Sequence, residues 1–342
     1  MRDADFLPAS KSGLFPPEAA PGVPVNEYDF DRLLVFYNPV SENVKAAQAQ
    51  IADLEQSYFG PKVDVKQTVS GGHEANQDLF AEHLREGDIF VLATGDGTLK
   101  TAIQTVAGYT ELSEKIRRTP ILPLGGGNAN DMDVMLNDSR RRIAPSDILE
   151  AGRIVSISPV RCSLDAPGFE PYEHFAGSYV SLGTSARAAY ALNQRQYRQS
   201  HLRKIPGFSK AHEFATVGRS LQDSRTFVVE HDNEEREVAE ILFPNGSRMA
   251  KYCRFPSRLT ERGVIYHAEI GDLRPTSVAI GVGGLLMNRL TGEFQTDTLE
   301  LTAQTTTFIQ FDGESEMVYP GTRIAIGPAD VAFRAITTRV RP

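Results

Sequence analysis

The sequence lacks most features that would place it outside a reducing cytoplasm or on a nucleic acid. Only two cysteines, Cys162 and Cys253, occur in 342 residues, too few for a disulfide-stapled fold; both read as packing residues. No apolar run approaches the ~20 residues needed to cross a bilayer, and the N-terminus has no basic-then-apolar layout of a signal peptide. Positive charge is not in excess: 36 Lys and Arg stand against 44 Asp and Glu, a net charge of −8, which argues against a nucleic-acid partner. There is no repeat of fixed period. No Gly-Lys-Ser/Thr loop is present and no G-x-G-x-x-G opens the first helix, so neither a P-loop NTPase nor an ordinary dinucleotide dehydrogenase fits.

What is present points to two domains, as the length also does. Residues 1–28 carry Pro8, Pro16, Pro17, Pro21, Gly22 and Pro24 and read as a disordered or loosely docked arm. Over residues 29–152 short apolar runs alternate with helical patterns. Leu33–Tyr37, Val63 to about Thr68, Ile89–Leu92 and Ile121–Leu122 read as strands. Helices are expected from about Asn43 to Tyr58, with Ala47, Ile51 and Leu54 on one face, and from His73 to about Leu84, anchored by Ala75, Leu79 and Leu84. His73 itself reads as a helix-start residue. The alternation implies a Rossmann-like parallel sheet covered on both faces. Past Gly152 the pattern changes to many strand-like runs separated by turn residues, among them Tyr179–Leu182, Thr226–Val229, Val238–Phe243 and Thr305–Phe311. Residues 153–326 therefore read as a mainly β sandwich domain, interrupted by a helix from Ala186 to about Tyr197. Residues 327–342 form a C-terminal segment that can return to the first domain.

Two glycine loops follow strands of the α/β half. Thr94-Gly95-Asp96-Gly97-Thr98 sits between a strand and a helix. Glycines allow close backbone approach to a phosphate, a helix N-terminus favours an anion, and Asp96 can hold Mg2+ beside phosphate oxygens. An ordinary Asp-Gly turn explains the loop equally well when it is taken alone. The second loop, Gly125-Gly126-Gly127-Asn128, follows Pro123-Leu124 at another strand end, where ligands of open α/β sheets bind. Asp312-Gly313, between two strand-like runs, reads first as a hairpin turn.

Together these segments resemble the diacylglycerol kinase catalytic-domain family, which includes sphingosine kinases and is more remotely similar to NAD kinases. Asn38-Pro39 resembles the end of that family's first strand, Thr68 its nucleotide-contacting threonine, Thr94–Thr98 its GGDGT loop and Pro123–Asn128 its glycine loop. Ser181-Leu182-Gly183, Phe243-Pro244-Asn245-Gly246 with Pro256, and Asp312-Gly313-Glu314 resemble motifs of its β domain. The resemblance implies an ATP-dependent lipid kinase acting on a primary hydroxyl of diacylglycerol or a sphingoid-type lipid. Its site would lie between an α/β domain and a β sandwich. ATP would be held by Asn38, Thr68, Thr94 to Thr98 and Gly125 to Asn128, with Mg2+ at Asp96. It implies Glu314 as proton acceptor and Asp312 as its partner, with Asp96 able to share the role.

The sequence also departs from the family. Thr94 replaces the first glycine of its loop, Thr101 stands where a Glu is common, and Ser41-Glu42-Asn43 replace the usual glycine and basic residue. Arg262 occupies the place of a metal-binding Asp, so no second Mg2+ is expected. The basic stretch Arg195, Arg198, His201, Arg203, Lys204 and Lys210 reads either as a solvated surface or as one that meets anionic lipid. The expected location is cytoplasmic or peripheral at a membrane, with a lipid substrate, no nucleic acid, and a homodimer left open. An NAD kinase-like enzyme and a nucleotide-binding regulator without catalysis are the alternatives.

Overall fold

The computed structural model describes residues 22–41, 43–69, 72–109, 111–125, 131–137, 143–194, 208–222, 226–231, 233–245, 248–249, 253–254, 265–270, 293–295 and 298–338. The expected arm up to residue 21, the loop residues Gly126, Gly127 and Asn128, the metal-site position Arg262, and the basic stretch as far as Lys204 lie outside these residues.

The first half builds strands β1 (Val23–Pro24), β2 (Arg32–Tyr37), β3 (Val63–Gln67), β4 (Asp88–Thr94), β5 (Pro120–Gly125) and β6 (Arg153–Ile157). Its helices are α1 (Val44–Gln56), α2 (Gly72–His83), α3 (Asp96–Gly108), α4 (Glu114–Arg117), α5 (Asp131–Asn137) and α6 (Pro145–Ala151). The second half adds β7 (Val160–Asp165), β8 (Tyr172–Ala176), β9 (Tyr179–Gly183), α7 (Thr184–Asn193) and α8 (Phe208–Gln222). It continues with β10 (Phe227–His231), β11 (Glu234–Val238), β12 (Glu240–Pro244), β13 (Arg248–Met249), β14 (Cys253–Arg254), β15 (Ile265–Ile270) and β16 (Glu293–Gln295). The last strands are β17 (Leu299–Ala303), β18 (Thr307–Phe311), β19 (Glu314–Val318), β20 (Arg323–Pro328) and β21 (Phe333–Thr337).

One seven-stranded sheet runs in the order β1-β6-β21-β5-β4-β2-β3. The neighbours from β21 through β3 pair in parallel, while β6 runs antiparallel to both β21 and β1. Every residue of β4 is buried, as a central strand covered on both faces requires. Leu34, Phe36, Phe90 and Leu92 pack toward α2, α3 and α5, whereas Leu33, Val35, Ile89 and Val91 pack toward α1 and α6. The face of α1 expected to be buried, Ala47, Ile51 and Leu54, is the buried one. On α2 the principal anchor is Phe80, which the sequence reading passed over. Its ring meets Phe36 at 4.8 Å and Phe90 at 5.1 Å, both edge-on; Ala75 and Leu79 are only half-buried.

The β half forms two antiparallel six-stranded sheets, β11-β10-β17-β20-β7-β8 and β16-β15-β12-β9-β18-β19. Apolar side chains of both, including Cys162, Val180, Phe227, Ile241, Phe243, Phe311 and Ile326, share one core. The run Val238–Phe243, expected as one strand, is broken at Ala239: β11 belongs to one sheet and β12 to the other. The Ala239 carbonyl is drawn out of both ladders, accepting from the Thr184 backbone N–H at 3.2 Å and from its hydroxyl at 3.0 Å. The helix expected from Ala186 to about Tyr197 is α7, which starts at Thr184 and ends at Asn193, where the backbone of Gln194 turns extended. Among the described residues, no helix is long and apolar enough to cross a membrane.

Candidate active site

Parallel pairing brings the ends of four strands to one sheet edge. Tyr37 is level with Gln67 and with Ala93, and Thr94 is level with Gly125. The residues that leave these strands, Asn38, Thr68, Gly95 and the start of the second glycine loop, therefore line up side by side. Asn38 Oδ1 accepts from the Val40 N–H at 3.0 Å and shapes the turn after β2. The Thr68 N–H donates to the Tyr37 carbonyl at 3.0 Å. Thr94 is buried and ends its strand without interrupting the pairing to Gly125.

The loop runs directly into α3. The opening N–H groups of a helix have no partner within it, and Gly95, at the cap, has no side chain to bond them. Such an end suits an anion. Asp96 Oδ1 accepts from the Asp131 N–H at 3.1 Å, and Asp133 Oδ2 accepts from the Gly125 N–H at 2.9 Å. These two bonds tie the two glycine loops through the start of α5. Asp133 carries no sequence signal of this role.

The opposite wall comes from the β half. β18 and β19 are joined by a two-residue turn, with Phe311 paired to Glu314. Asp312 and Gly313 have φ of 50° and 91°, the positive pair of a type I′ hairpin, for which Asp-Gly is favoured. Asp312 is buried, and its carboxylate is committed to the backbone. Oδ1 accepts from Ser178 and Tyr179 N–H at 2.8 and 2.9 Å, and Oδ2 accepts from Gly177 N–H at 2.7 Å. Burial pushes its pKa up to about 6, against the pull of those three donors. Asn245 pins the same corner. Its side-chain amide donates to the carbonyls of Ser158 and Gly177, and its N–H donates to Ser178 O.

Glu314 is the acid that faces the loop. A Cβ added at Gly97 would lie 2.8 Å from Glu314 Oε1, so the glycine makes room for the carboxylate. The other oxygen, Oε2, lies 3.7 Å from His73 Nε2. Behind this pair α3 presents Lys100, which is buried with its ammonium 4.9 Å from the centre of the Phe311 ring. Burial lowers the Lys100 pKa, and Glu314, Asp312 and Glu316 oppose that shift. Glu316 accepts from the Tyr172 hydroxyl at 3.1 Å and lies 3.6 Å from His174 Nε2. Burial pushes Glu316 up, but His174, the Tyr172 hydroxyl and Lys100 outweigh it and hold the carboxyl below its ordinary value. Lys100, Glu316, Tyr172 and His174 were not expected at the site. The available signals were a lysine on an otherwise apolar helix face and acids at every second position from 312 to 316.

The most extensive contact between the halves among the described elements is made by α3 and β8. Gln104 donates to the Glu173 carbonyl at 3.0 Å and accepts from the Phe175 N–H at 2.8 Å. A Cβ at Gly177 would lie 2.4 Å from Ile103 and 2.8 Å from Met132, so the corner held by Asp312 is also the point of closest approach between the domains. Among the described residues no group of three or more His, Cys, Asp or Glu is placed to hold a metal ion by itself. A single protein carboxylate is enough to hold Mg2+ beside a bound nucleotide, because that ion takes most of its remaining ligands from phosphate and water.

Residues 32–162 match the family model of the diacylglycerol kinase catalytic domain. The fold is shared with a crystal structure of a diacylglycerol kinase from Bacillus anthracis str. Sterne, at 15% identity and a TM-score of 0.61, covering 90% of this chain and 97% of that one. A second structure from the same organism aligns at 16% identity and a TM-score of 0.60, with the same coverage. No curated protein matches the chain. The motifs at the strand ends and the two-part fold agree with that match: over residues 32–162 this chain is similar to the diacylglycerol kinase catalytic domain.

Proposed function

We propose that the protein is an ATP-dependent lipid kinase that transfers the γ-phosphoryl group to a primary hydroxyl of diacylglycerol or a sphingoid-type lipid, met at a membrane surface. The observation that carries the reading is the apposition of Glu314 to Gly97, which puts a carboxylate from the β half against the phosphate-type loop of the α/β half. Phosphoryl transfer asks a protein mainly for positioning and charge neutralisation. Asn38, Thr68, the Thr94–Thr98 loop and the loop from Gly125 through Gly126 and Gly127 to Asn128 bind the nucleotide in this reading, and the α3 N-terminus faces its phosphates. Bound at Asp96, Mg2+ would neutralise phosphate charge. Glu314 accepts the proton of the lipid hydroxyl. Asp312 serves as its partner by holding the hairpin, since its own oxygens are occupied by backbone donors.

The test incubates purified protein with labelled ATP, Mg2+ and a panel of diacylglycerols and sphingoid bases, with NAD as a separate acceptor. Labelled lipid supports the proposal. Labelled NADP would replace it with an NAD kinase reading, and nucleotide binding without transfer to any acceptor would replace it with a non-catalytic regulator.

A further inference from the structure

We infer that His73 is a positioning residue that orients Glu314 and carries its proton to solvent, held in a single tautomer by Thr101; the inference rests on the kinase reading above. It begins with a hydroxyl that has one hydrogen to give. Thr101, on α3, donates to the Gly97 carbonyl one turn back at 3.1 Å, as a helical threonine does. The same oxygen lies 2.5 Å from His73 Nδ1. In the arrangement inferred here Thr101 gives that hydrogen to Gly97, so Oγ1 accepts from His73 and Nδ1 carries the ring hydrogen. In the neutral imidazole the lone pair is then on Nε2, and Nε2 is the atom that faces Glu314 Oε2 at 3.7 Å.

A lone pair facing a carboxylate is a poor contact until a proton lies between them. The pair is therefore built to receive one. As the lipid oxygen bonds to phosphorus and the bond from phosphorus to the departing nucleoside diphosphate breaks, the hydroxyl proton passes to Glu314. The carboxyl turns about its Cγ–Cδ bond and hands the proton to Nε2. The imidazolium, whose side chain is 44% exposed, releases it to water, and Glu314 is a carboxylate again. A contact of this length tightens when substrate is bound, as such contacts commonly do.

Two variants and one spectroscopic measurement test it. His73→Asn keeps an amide opposite Thr101 but lacks Nε2, and His73→Ala opens the site to added imidazole. We expect kcat to fall about tenfold or more in both, with KM for ATP and thermal melting unchanged, and imidazole to restore turnover in the alanine variant. Nitrogen-15 NMR of the resting wild-type protein at about pH 9, where free histidine is neutral, should show the Nδ1–H form at His73 and lose that preference in Thr101→Val. An asparagine variant as active as wild type, no response to imidazole, or an Nε2–H histidine would each overturn the relay while leaving the kinase reading in place. A wild-type protein that phosphorylates no lipid alcohol would sink both.

Discussion

Asp312 and Glu314 sit two residues apart on one hairpin, and the structure assigns them opposite consequences when neutralised. Asp312→Asn preserves the turn, because Asn also tolerates positive φ. It cannot preserve all three hydrogen bonds. If the amide oxygen takes the place of Oδ1, facing Ser178 and Tyr179, the amide nitrogen meets the Gly177 N–H, donor against donor. An orphaned buried donor costs about 1–3 kcal/mol, and the weakened bonds to the neutral oxygen add to that. Glu314→Gln keeps the shape of a half-exposed side chain, so its stability cost should stay below about 1 kcal/mol. Its catalytic cost should be large, on the order of 10²–10⁴ in kcat for a lost proton acceptor. Urea unfolding of both variants, paired with kinase assays at a temperature where both are folded, separates the effects. An Asp312→Asn protein as stable as wild type would refute the clamp, and a fully active Glu314→Gln protein would refute the base.

Three further outcomes follow from the packing and the charges. Phe80→Ala empties a fully buried site between Phe36 and Phe90 and should destabilise the α/β half by about 3–5 kcal/mol, read from its melting; a loss under 1 kcal/mol would mean the ring is not a core anchor. Glu240 is fully buried, accepts from the Ser185 N–H at 2.8 Å and from its hydroxyl, and burial raises its pKa to about 8. The native state thus keeps a proton that the unfolded chain releases near its ordinary 4.5, so this stabilisation is complete below pH 4.5 and is lost as pH rises toward 8. The loss is on the order of 4–5 kcal/mol at most; denaturation from pH 5 to 9 should show it, and Glu240→Gln should flatten the slope. Gly97→Ala places a methyl group 2.8 Å from Glu314 Oε1. The carboxylate must swing aside, lowering kcat by up to about 10²-fold with little change in melting; unchanged turnover would show that its position at the loop is immaterial.

Local chemistry made part of this protein legible. Uniformly apolar runs such as Leu33–Phe36 and Ile89–Leu92 can be buried on both faces only in a covered sheet, so the α/β class was readable from them. The Asp312-Gly313 turn was readable because few other dipeptides tolerate two successive positive φ values. Strand ends followed by glycine loops announced where an anion would sit. The meeting of Gly97 with Glu314, the fixed tautomer of His73, the three donors around Asp312 and the anchoring of Asn245 were decided by tertiary structure alone. Each joins elements far apart in the chain, and no periodicity or turn preference records which surfaces will face one another. The break at Ala239 is of the same kind: Val238–Phe243 is a continuous strand by propensity, and only the need to fill two sheets around one core divides it.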